Sequence, residues 1–543
     1  MNKPLLALSV AVSMALFGAT LVHAADLRPY NADSPGEGYN DATPAAPVGG
    51  NPGITLGEQR QLVALFAADL WGSVLVSDVP VYIQAQFNPL GANVLGSAGT
   101  YYIFSDFPNA TRANTFYSSA LSDALSGVDQ TVEAGLPEGF PDIVSQFSSD
   151  FSFYYGLDDN TPIGQYNFLD VIMHEIGHGL GFANFESEAS GAFSGGLPDI
   201  YSTFTYDNTQ GKFWPDMTAQ ERRASAINYG NVVFTGANAV MGAALTLDVR
   251  NRPDFHVTAP GSIAGTYQYG DAEFGPAVTA TNLTGNVVLG SDGLGAVNDG
   301  CEPLVNGAAI AGNIALLDRG TCAFTIKALN AQNAGATGVL IANNEPANPP
   351  PGMSGVDPAI VIPSVRITQG LGTAMKSILP GVVSVGFTPA NPNGLQGADD
   401  AGRPRLFMPD PVQGGSSGSH YDTALSPNAL MEPAINDSLH AALNLDITPN
   451  LLKDTGWKLN PGNAVIDGCD TGIRIVDDAG IIIGANVQAT SNLCLYTATA
   501  RGDYQNCMSG YKDRLLAANL ITDKQAGKMM SCAAHLGKDA KGK

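Results

Sequence analysis

The most constraining feature of this chain is the stretch 174–184, which reads His-Glu-Ile-Gly-His-Gly-Leu-Gly-Phe-Ala-Asn. On a helix, His174 and His178 lie one turn apart on the same face, so both imidazoles can bind one zinc ion. Glu175 then lies beside the metal, where it can accept a proton from water. The pattern therefore predicts a buried helix over 170–182 that carries two zinc ligands and a general base.

The same stretch begins like the longer zinc-protease signature H-E-x-x-H-x-x-G-x-x-H. Gly181 stands at the required glycine, where a positive φ angle lets the chain turn sharply below the metal. The position of the third histidine is occupied by Asn184, whose amide is a poor zinc ligand beside an imidazole. The third ligand is therefore expected from elsewhere in the chain, with Asn184 as a spectator.

The N-terminus has the pattern of a secretory signal peptide, predicted over 1–24. Lys3 supplies the positive end, 5–21 is apolar, and Val22-His23-Ala24 fits a cleavage site. No later stretch has about 20 uninterrupted apolar residues, so we expect no membrane span in the mature chain. The expected location is extracellular, and periplasmic transit or retention is also compatible with the signal.

Length and charge narrow the function classes further. A chain of 543 residues exceeds one ordinary domain. Its formal net charge of −24 argues against nucleic-acid binding, which needs basic surfaces. Acidic loops could hold calcium as a second cofactor, although no D-x-D-x-D-G loop specifies a site. We expect a monomer that acts on protein or peptide substrates.

Six cysteines predict disulfides in an exported chain. The simplest pairing joins near neighbours in sequence, although the last four cysteines alone allow three connectivities. The pairs expected on this basis are Cys301–Cys322, Cys469–Cys494 and Cys507–Cys532.

The first half of the mature chain is predicted to consist of a flexible N-terminal segment and the first part of the catalytic domain. Residues 25–54 are rich in Pro, Gly, Asn and Ala, which predicts a flexible N-terminal segment. Residues 55–256 are assigned to the first part of the catalytic domain, with a helix over 56–71 and a strand over 79–87. A further strand within 140–153 is expected to offer its edge to extended substrate.

The composition changes over 257–394, where Gly, Val, Ala and Ile dominate and short strand-like runs alternate with turns around one helical stretch. The pattern predicts a β-α-β unit. Its most specific sequence motifs are Asp318-Arg-Gly-Thr-Cys-Ala-Phe324, Lys327 and Asn330-Ala-Gln-Asn-Ala-Gly-Ala336. The stretch resembles a protease-associated (PA) domain, a small α/β module inserted in many secreted proteases and some receptors. The resemblance implies a role in substrate docking or access, without catalysis.

Several residues compete for the third ligand position. His420 precedes Leu430-Met431-Glu432-Pro433, which has the appearance of a tight methionine turn. A methionine there offers a soft, adaptable floor for the ligand rings. The arrangement resembles the metzincin group of zinc proteases, which place a methionine in a tight turn under three histidines, and this resemblance favours His420. The alternatives that remain open are Glu186, Glu188, His256 and His440, whereas His535 lies in the cysteine-rich tail.

This arrangement resembles the leishmanolysin-type metzincins, in which the third histidine follows an inserted segment and shortly precedes the methionine turn. The matching parts are 174–182, 419–421, Met431 and 454–457. The resemblance implies an α+β fold with a twisted sheet and an active-site helix, completed by 395–460. The remaining 461–543 are expected to form a separate, small disulfide-containing region of open function.

These observations predict a secreted zinc endopeptidase that hydrolyses peptide bonds with zinc-activated water and Glu175 as general base. One alternative is a zinc exopeptidase, because PA domains also accompany aminopeptidases. Another is a catalytically inactive binding protein or adhesin that keeps a zinc site. Tyr421, next to His420, is a weak candidate for an oxyanion donor.

Overall fold

The computed structural model describes residues 24–435 and 438–536. The predicted signal peptide, apart from Ala24, therefore lies outside the described residues. Within those ranges, no helix combines the length and apolar character that a membrane span requires.

Residues 24–253 form a mixed sheet, several smaller ladders and six α-helices. The strands are β1 (Leu27–Asn31), β2 (Leu75–Val76), β3 (Val81–Asn88), β4 (Gly96–Thr100), β5 (Ile103–Ser105), β6 (Phe116–Ser118), β7 (Ile143–Ser148), β8 (Phe153–Tyr154), β9 (Tyr166–Asn167), β10 (Thr205–Asp207), β11 (Lys212–Phe213) and β12 (Val232–Phe234). The helices are α1 (Leu56–Val74), α2 (Ser119–Ser126), α3 (Gln130–Glu133), α4 (Phe168–Gly179), α5 (Ala219–Ser225) and α6 (Ala237–Thr246).

The mixed sheet has the strand order β1-β3-β7-β4. Its first three strands are parallel, and β4 runs antiparallel along the edge of β7. The expected substrate edge on the strand within 140–153 is therefore wrong, because β4 covers it. The sequence of β4, Gly-Ser-Ala-Gly-Thr, has few of the β-branched and aromatic residues that mark strands, which hid this edge.

The expectation of a flexible segment over 25–54 is also wrong. Strand β1 pairs in parallel with β3, with Leu27 opposite Val81. Tyr39 is buried and packs edge-to-face on Phe87, with ring centroids 5.2 Å apart. Pro29 is tolerated because β1 is an edge strand. The Pro- and Gly-rich composition thus describes turns around a short edge strand.

The inserted domain folds around an eight-stranded sheet of order β14-β13-β20-β16-β17-β18-β19-β15. Two separate hydrophobic clusters cover the two faces of this sheet. Its strands are β13 (Asp254–Ala259), β14 (Gly265–Tyr267), β15 (Gly270–Asp271), β16 (Gly285–Leu289), β17 (Ile314–Asp318), β18 (Gly338–Ala342), β19 (Ser364–Ile367) and β20 (Ser384–Thr388); its helices are α7 (Gly307–Ile310), α8 (Phe324–Asn333) and α9 (Gln369–Ile378).

The chain then returns to the first part. The remaining elements are α10 (Thr448–Thr455), β21 (Lys458–Leu459), β22 (Asn463–Ile466), β23 (Cys469–Arg474), α11 (Ile483–Thr497), α12 (Arg501–Ala517) and α13 (Asp523–Leu536). Strand β21 pairs with β2, and buried residues of α11 and α12 join the same hydrophobic cluster as α1 and α4. The expectation of a separate region over 461–543 is therefore wrong for its described part. We call 24–253, 389–435 and 438–536 together the main unit.

The six cysteines form three disulfides, of which Cys301–Cys322 is the expected pair. The other two are Cys469–Cys532 and Cys494–Cys507, so the expected pairing of the last four cysteines is wrong. The physical reason is the fold-back of the last helices. Helix α13 packs against β23, and α12 packs against α11, which brings distant cysteines together. Three disulfides are typical of an oxidising compartment.

Candidate metal centre

Helix α4 carries the HExxH stretch and is buried along its whole length. Asn167 caps its N-terminus, because the Asn167 side chain accepts the backbone N–H of Leu169. Two tryptophans hold its far half: Trp71 Nε1 donates to the Met173 carbonyl at 3.1 Å, and Trp457 Nε1 donates to the Leu180 carbonyl at 2.8 Å. The predicted helix is thus present, but it ends at Gly179 and not at 182, and two tryptophan side chains are hydrogen-bonded to its backbone and its C-cap.

The end of α4 depends on glycine. Gly181 has a φ angle of +111°, which L side chains rarely adopt, as the sequence pattern required. The Phe182 N–H then donates to the Gly177 carbonyl at 3.1 Å, and the chain leaves the helix axis. The turn places the Phe182 carbonyl against His178.

Three histidines converge beside this helix. The Nε2 atom of His178 lies 3.0 Å from that of His174 and 3.2 Å from that of His420, and the last two are 3.2 Å apart. All three rings are buried. His420 reaches the site although the whole inserted domain separates it from His178 in sequence.

The other ring nitrogen of each histidine faces a backbone carbonyl. His174 Nδ1 lies 2.6 Å from the Leu430 oxygen, His178 Nδ1 2.8 Å from the Phe182 oxygen, and His420 Nδ1 2.9 Å from the Ser416 oxygen. A carbonyl can only accept, so each Nδ1 carries the proton. The Nε2 lone pairs of all three rings therefore point at one another, which is unfavourable unless a cation lies between them.

This donor set fits zinc. Zn–N distances of about 2.0–2.1 Å place tetrahedral ligand nitrogens about 3.3 Å apart, close to the separations of the three Nε2 atoms. Burial lowers the pKa of His174 to about 4 and that of His178 to about 3, and it lowers the pKa of His420 well below its usual value. The rings are consequently neutral ligands above mildly acidic pH, and Nδ1–H···O=C bonds commonly orient zinc-binding histidines.

The methionine turn lies directly under α4. A Cβ atom at Gly177 would be 2.7 Å from the Met431 sulfur, so the second variable position of HExxH accommodates this side chain only because it is glycine. Leu430, whose carbonyl faces His174, donates its own N–H to Asp446 Oδ2 at 2.5 Å. The Tyr421 N–H donates to the Met431 carbonyl at 2.8 Å, which ties the turn to the His420 segment.

Glu175 faces the edge strand β4. It accepts a hydrogen bond from the Ala98 N–H, which lowers its pKa, but burial has the larger effect and raises the pKa to about 8. A Cβ atom at Gly96 would lie 2.5 Å from Glu175 Oε1. Gly96, one of the residues that concealed the strand in the sequence, therefore leaves room for Glu175.

Asn184 has a role that the sequence did not indicate. Its backbone N–H donates to Ser419 Oγ at 3.2 Å, and the Ser419 hydroxyl donates to Asn184 Oδ1 at 3.0 Å. Ser419 immediately precedes His420. The residue at the usual third-ligand position thus holds the segment that delivers His420, and the expectation that it is a spectator is wrong.

The competing ligand candidates lie in other environments. Glu186 Oε2 accepts the hydroxyl of Ser202 at 2.5 Å, and that hydroxyl also contacts Asp199. His256 lies in the inserted domain between Thr388 and Thr266, His440 faces Asp159 at 3.8 Å, and His535 and Glu188 are absent from the histidine cluster. Tyr421 is fully buried against Phe182, which makes it structural.

Comparison with known proteins identifies the inserted domain. The PA domain family matches residues 283–375. The chain contains a PA domain. The match covers less than a fifth of the 543 residues, so it assigns the insert and leaves the main unit unassigned.

Curated relatives are similar over short stretches. The chain is 32% identical to vacuolar-sorting receptor 2 of Arabidopsis thaliana over 142 residues, 24% of this chain and 23% of the receptor. It is 42% identical to the human ER degradation-enhancing alpha-mannosidase-like protein 3 over 77 residues, 14% of this chain and 8% of that protein. The chain spans about a quarter or less of these relatives.

Solved structures give weaker similarity. An aminopeptidase from Aneurinibacillus sp. strain AM-1 is 16% identical over 35% of this chain and 41% of its own, with a TM-score of 0.20. A zinc aminopeptidase from Bacillus subtilis is 19% identical over 38% and 45%, with a TM-score of 0.19. Structural similarity at these TM-scores assigns neither a fold nor a function to the main unit.

Proposed function

We propose that this chain is a secreted zinc endopeptidase of the leishmanolysin-like metzincin type. The observation that carries the proposal is the convergence of three Nε2 lone pairs while each Nδ1 is committed to a carbonyl. Three imidazoles are the ligand set of a catalytic zinc that keeps one position open. When bound, zinc would supply Lewis acidity that activates water and polarises the scissile carbonyl.

Glu175 takes the role of general base. Its carboxylate would accept the proton of the attacking water and pass it to the leaving amine. Burial raises the pKa of Glu175 to about 8, and a positive charge nearby would lower it towards the operating pH. The Ala98 N–H holds the carboxylate in place in the structure.

Strand β4 provides the substrate surface. Among the described residues, β4 has β7 on one side and no strand on the other. Its outer backbone groups, apart from the Ala98 N–H that binds Glu175, can therefore pair with an extended peptide. The proximity of Gly96 to Glu175 would put that peptide beside the general base. Recognition through backbone groups suits cleavage within a chain and supports the endopeptidase over the exopeptidase.

The proposal is tested with an internally quenched peptide blocked at both ends. The zinc-loaded native protein is expected to cleave it, and Glu175→Gln should lower kcat by about 10²–10⁴-fold with zinc content unchanged. Glu133→Gln, at an exposed carboxylate, serves as the control.

Cleavage restricted to peptides with a free terminus would replace the endopeptidase with the exopeptidase. A zinc-loaded native protein that cleaves neither substrate would leave the non-catalytic binding protein as the correct alternative.

A further inference from the structure

A second group of potential metal ligands lies in the PA domain, between β16 and α7. Asp292, Asp299 and Glu302 each offer one carboxylate oxygen, and the three oxygens lie within 4.8 Å of one another. Asp292 and Asp299 are only 2% and 6% exposed, and Glu302 is half-buried. Three acidic side chains so close together repel one another unless a positive charge joins them.

One oxygen of Asp292 has no partner. Asp292 Oδ1 accepts the Leu294 N–H at 3.2 Å, whereas Oδ2 is buried without a hydrogen bond. Buried charged oxygens in proteins are paired, hydrogen-bonded or bound to a metal. The unsatisfied Oδ2 atom is therefore an independent sign that a ligand belongs here.

The nearby cation, Lys327, is attracted electrostatically by all three carboxylates, but its hydrogen bonds go to other atoms. Its buried ammonium donates to the Asp299 backbone oxygen at 2.5 Å and contacts Cys301 Sγ at 3.3 Å. Three carboxylates and one ammonium leave an excess of two negative charges, which a divalent cation would neutralise.

The loop that carries the acids is held at several points. Asp299 Oδ1 accepts the Cys301 N–H at 3.1 Å, and Cys301 is bonded to Cys322. Asn298 Nδ2 donates to the Gly290 carbonyl at 2.7 Å, which closes the other end of the loop. The carboxylates are thus preorganised and do not depend on the ion to bring them together.

We propose that Asp292, Asp299 and Glu302 bind calcium. Calcium takes oxygen ligands at about 2.3–2.6 Å, so oxygens that share one ion lie at most about 5 Å apart. The donors are oxygens alone, since Cys301 is in a disulfide, which disfavours zinc. Magnesium demands stricter octahedral geometry and dehydrates reluctantly. The site is independent of the proposed peptidase activity.

The test is calcium titration of the zinc-loaded full chain by isothermal calorimetry in calcium-depleted buffer. The native protein is expected to bind one Ca²⁺, with weaker binding of Mg²⁺. Asp292→Asn and Glu302→Gln should each weaken Ca²⁺ binding at least tenfold. Asp357→Asn, in the same domain outside the cluster, is the matched control and should bind as the native protein does.

Near-ultraviolet circular dichroism of each variant checks that the domain still folds, and the half-buried Glu302 gives a variant with little risk to folding. Absence of saturable Ca²⁺ binding in the native protein would overturn the proposal. Equal affinity in native, Asp292→Asn and Glu302→Gln proteins would overturn it as well, because the ion would then bind elsewhere.

Discussion

The histidine cluster of the main unit and the carboxylate cluster of the PA domain each bring three potential metal ligands together, but from different parts of the chain. The carboxylates come from one loop, 292–302, held by local hydrogen bonds and a disulfide. The histidines come from two segments, and His420 joins His174 across the inserted domain. The first cluster thus depends on local geometry, whereas the second exists only when the whole main unit has folded.

This difference explains how the long insert is tolerated. Longer loops add closure entropy slowly, about 0.6 kcal/mol per doubling, and a folded insert with neighbouring ends adds less. The bridge between Val249 and Leu395 joins the two chain segments that flank the PA domain. The chain therefore leaves the main unit for the insert and returns to it at nearly the same place. The position of His420 is then fixed by the bond between Asn184 and Ser419 and by the bond of Tyr421 to the methionine turn.

Among changes that leave Glu175 and the three histidines in place, the largest effect is expected from filling the space around Glu175. In Gly96→Ala, the new Cβ atom would lie 2.5 Å from Glu175 Oε1 and displace the carboxylate. Because a misplacement of about 1 Å can cost about 10²-fold in rate, we expect kcat to fall by that order while zinc content stays at the native level. Peptide cleavage and metal analysis measure both quantities.

Gly99→Ala is the control on the same strand, since a Cβ atom there meets nothing within 4 Å. It should retain most of the activity. Equal activities of the two variants would show that β4 does not position Glu175. Loss of zinc in Gly96→Ala would show that the strand supports the metal ligands as well.

A smaller effect is expected from the pH dependence of the main unit. Asp123 and Asp142 are buried side by side, and Asp123 Oδ2 and Asp142 Oδ1 have no hydrogen-bond partner unless the two carboxyls share a proton. Burial raises the pKa values of this pair to about 7 and about 8, which belong to the two carboxyls together. Since the folded state then binds more protons than the unfolded state, stability falls as pH rises from about 4 to about 8.

Asp142→Asn replaces the shared proton with a permanent amide donor. We expect the decrease in Tm between pH 5 and pH 8 to shrink by about 2–4 °C relative to the native protein. Scanning calorimetry at several pH values measures it, with the exposed Glu138→Gln as control. An unchanged pH profile would mean that the pair does not share a proton.

The sequence predicted the contiguous features well. Helix α4, the positive φ angle at Gly181 and the β-α-β pattern of the PA domain each follow from residues close together in the chain. In each case the apolar spacing or the glycine position carries the information locally, so no knowledge of distant contacts is needed.

The features that the sequence missed depend on distant contacts. Strand β4 contains few strand-forming residues, and one of its glycines, Gly96, leaves space for Glu175. The composition of 25–54, rich in Pro, Gly, Asn and Ala, made β1 look like part of a flexible segment. The pairing of Cys469 with Cys532 follows from how α13 returns to β23, which cysteine spacing does not encode. Asn184 looked like a broken motif, because its partner Ser419 is far away in sequence.

The most direct test of the central claim is the zinc stoichiometry of His420→Ala beside His440→Ala. His440 is the matched control, since it lies outside the histidine cluster and faces Asp159 instead. We expect one zinc ion per chain in the native protein and in His440→Ala, and loss of zinc and of peptide cleavage in His420→Ala. Full zinc content in a folded His420→Ala protein would contradict the assignment of His420 as the third ligand.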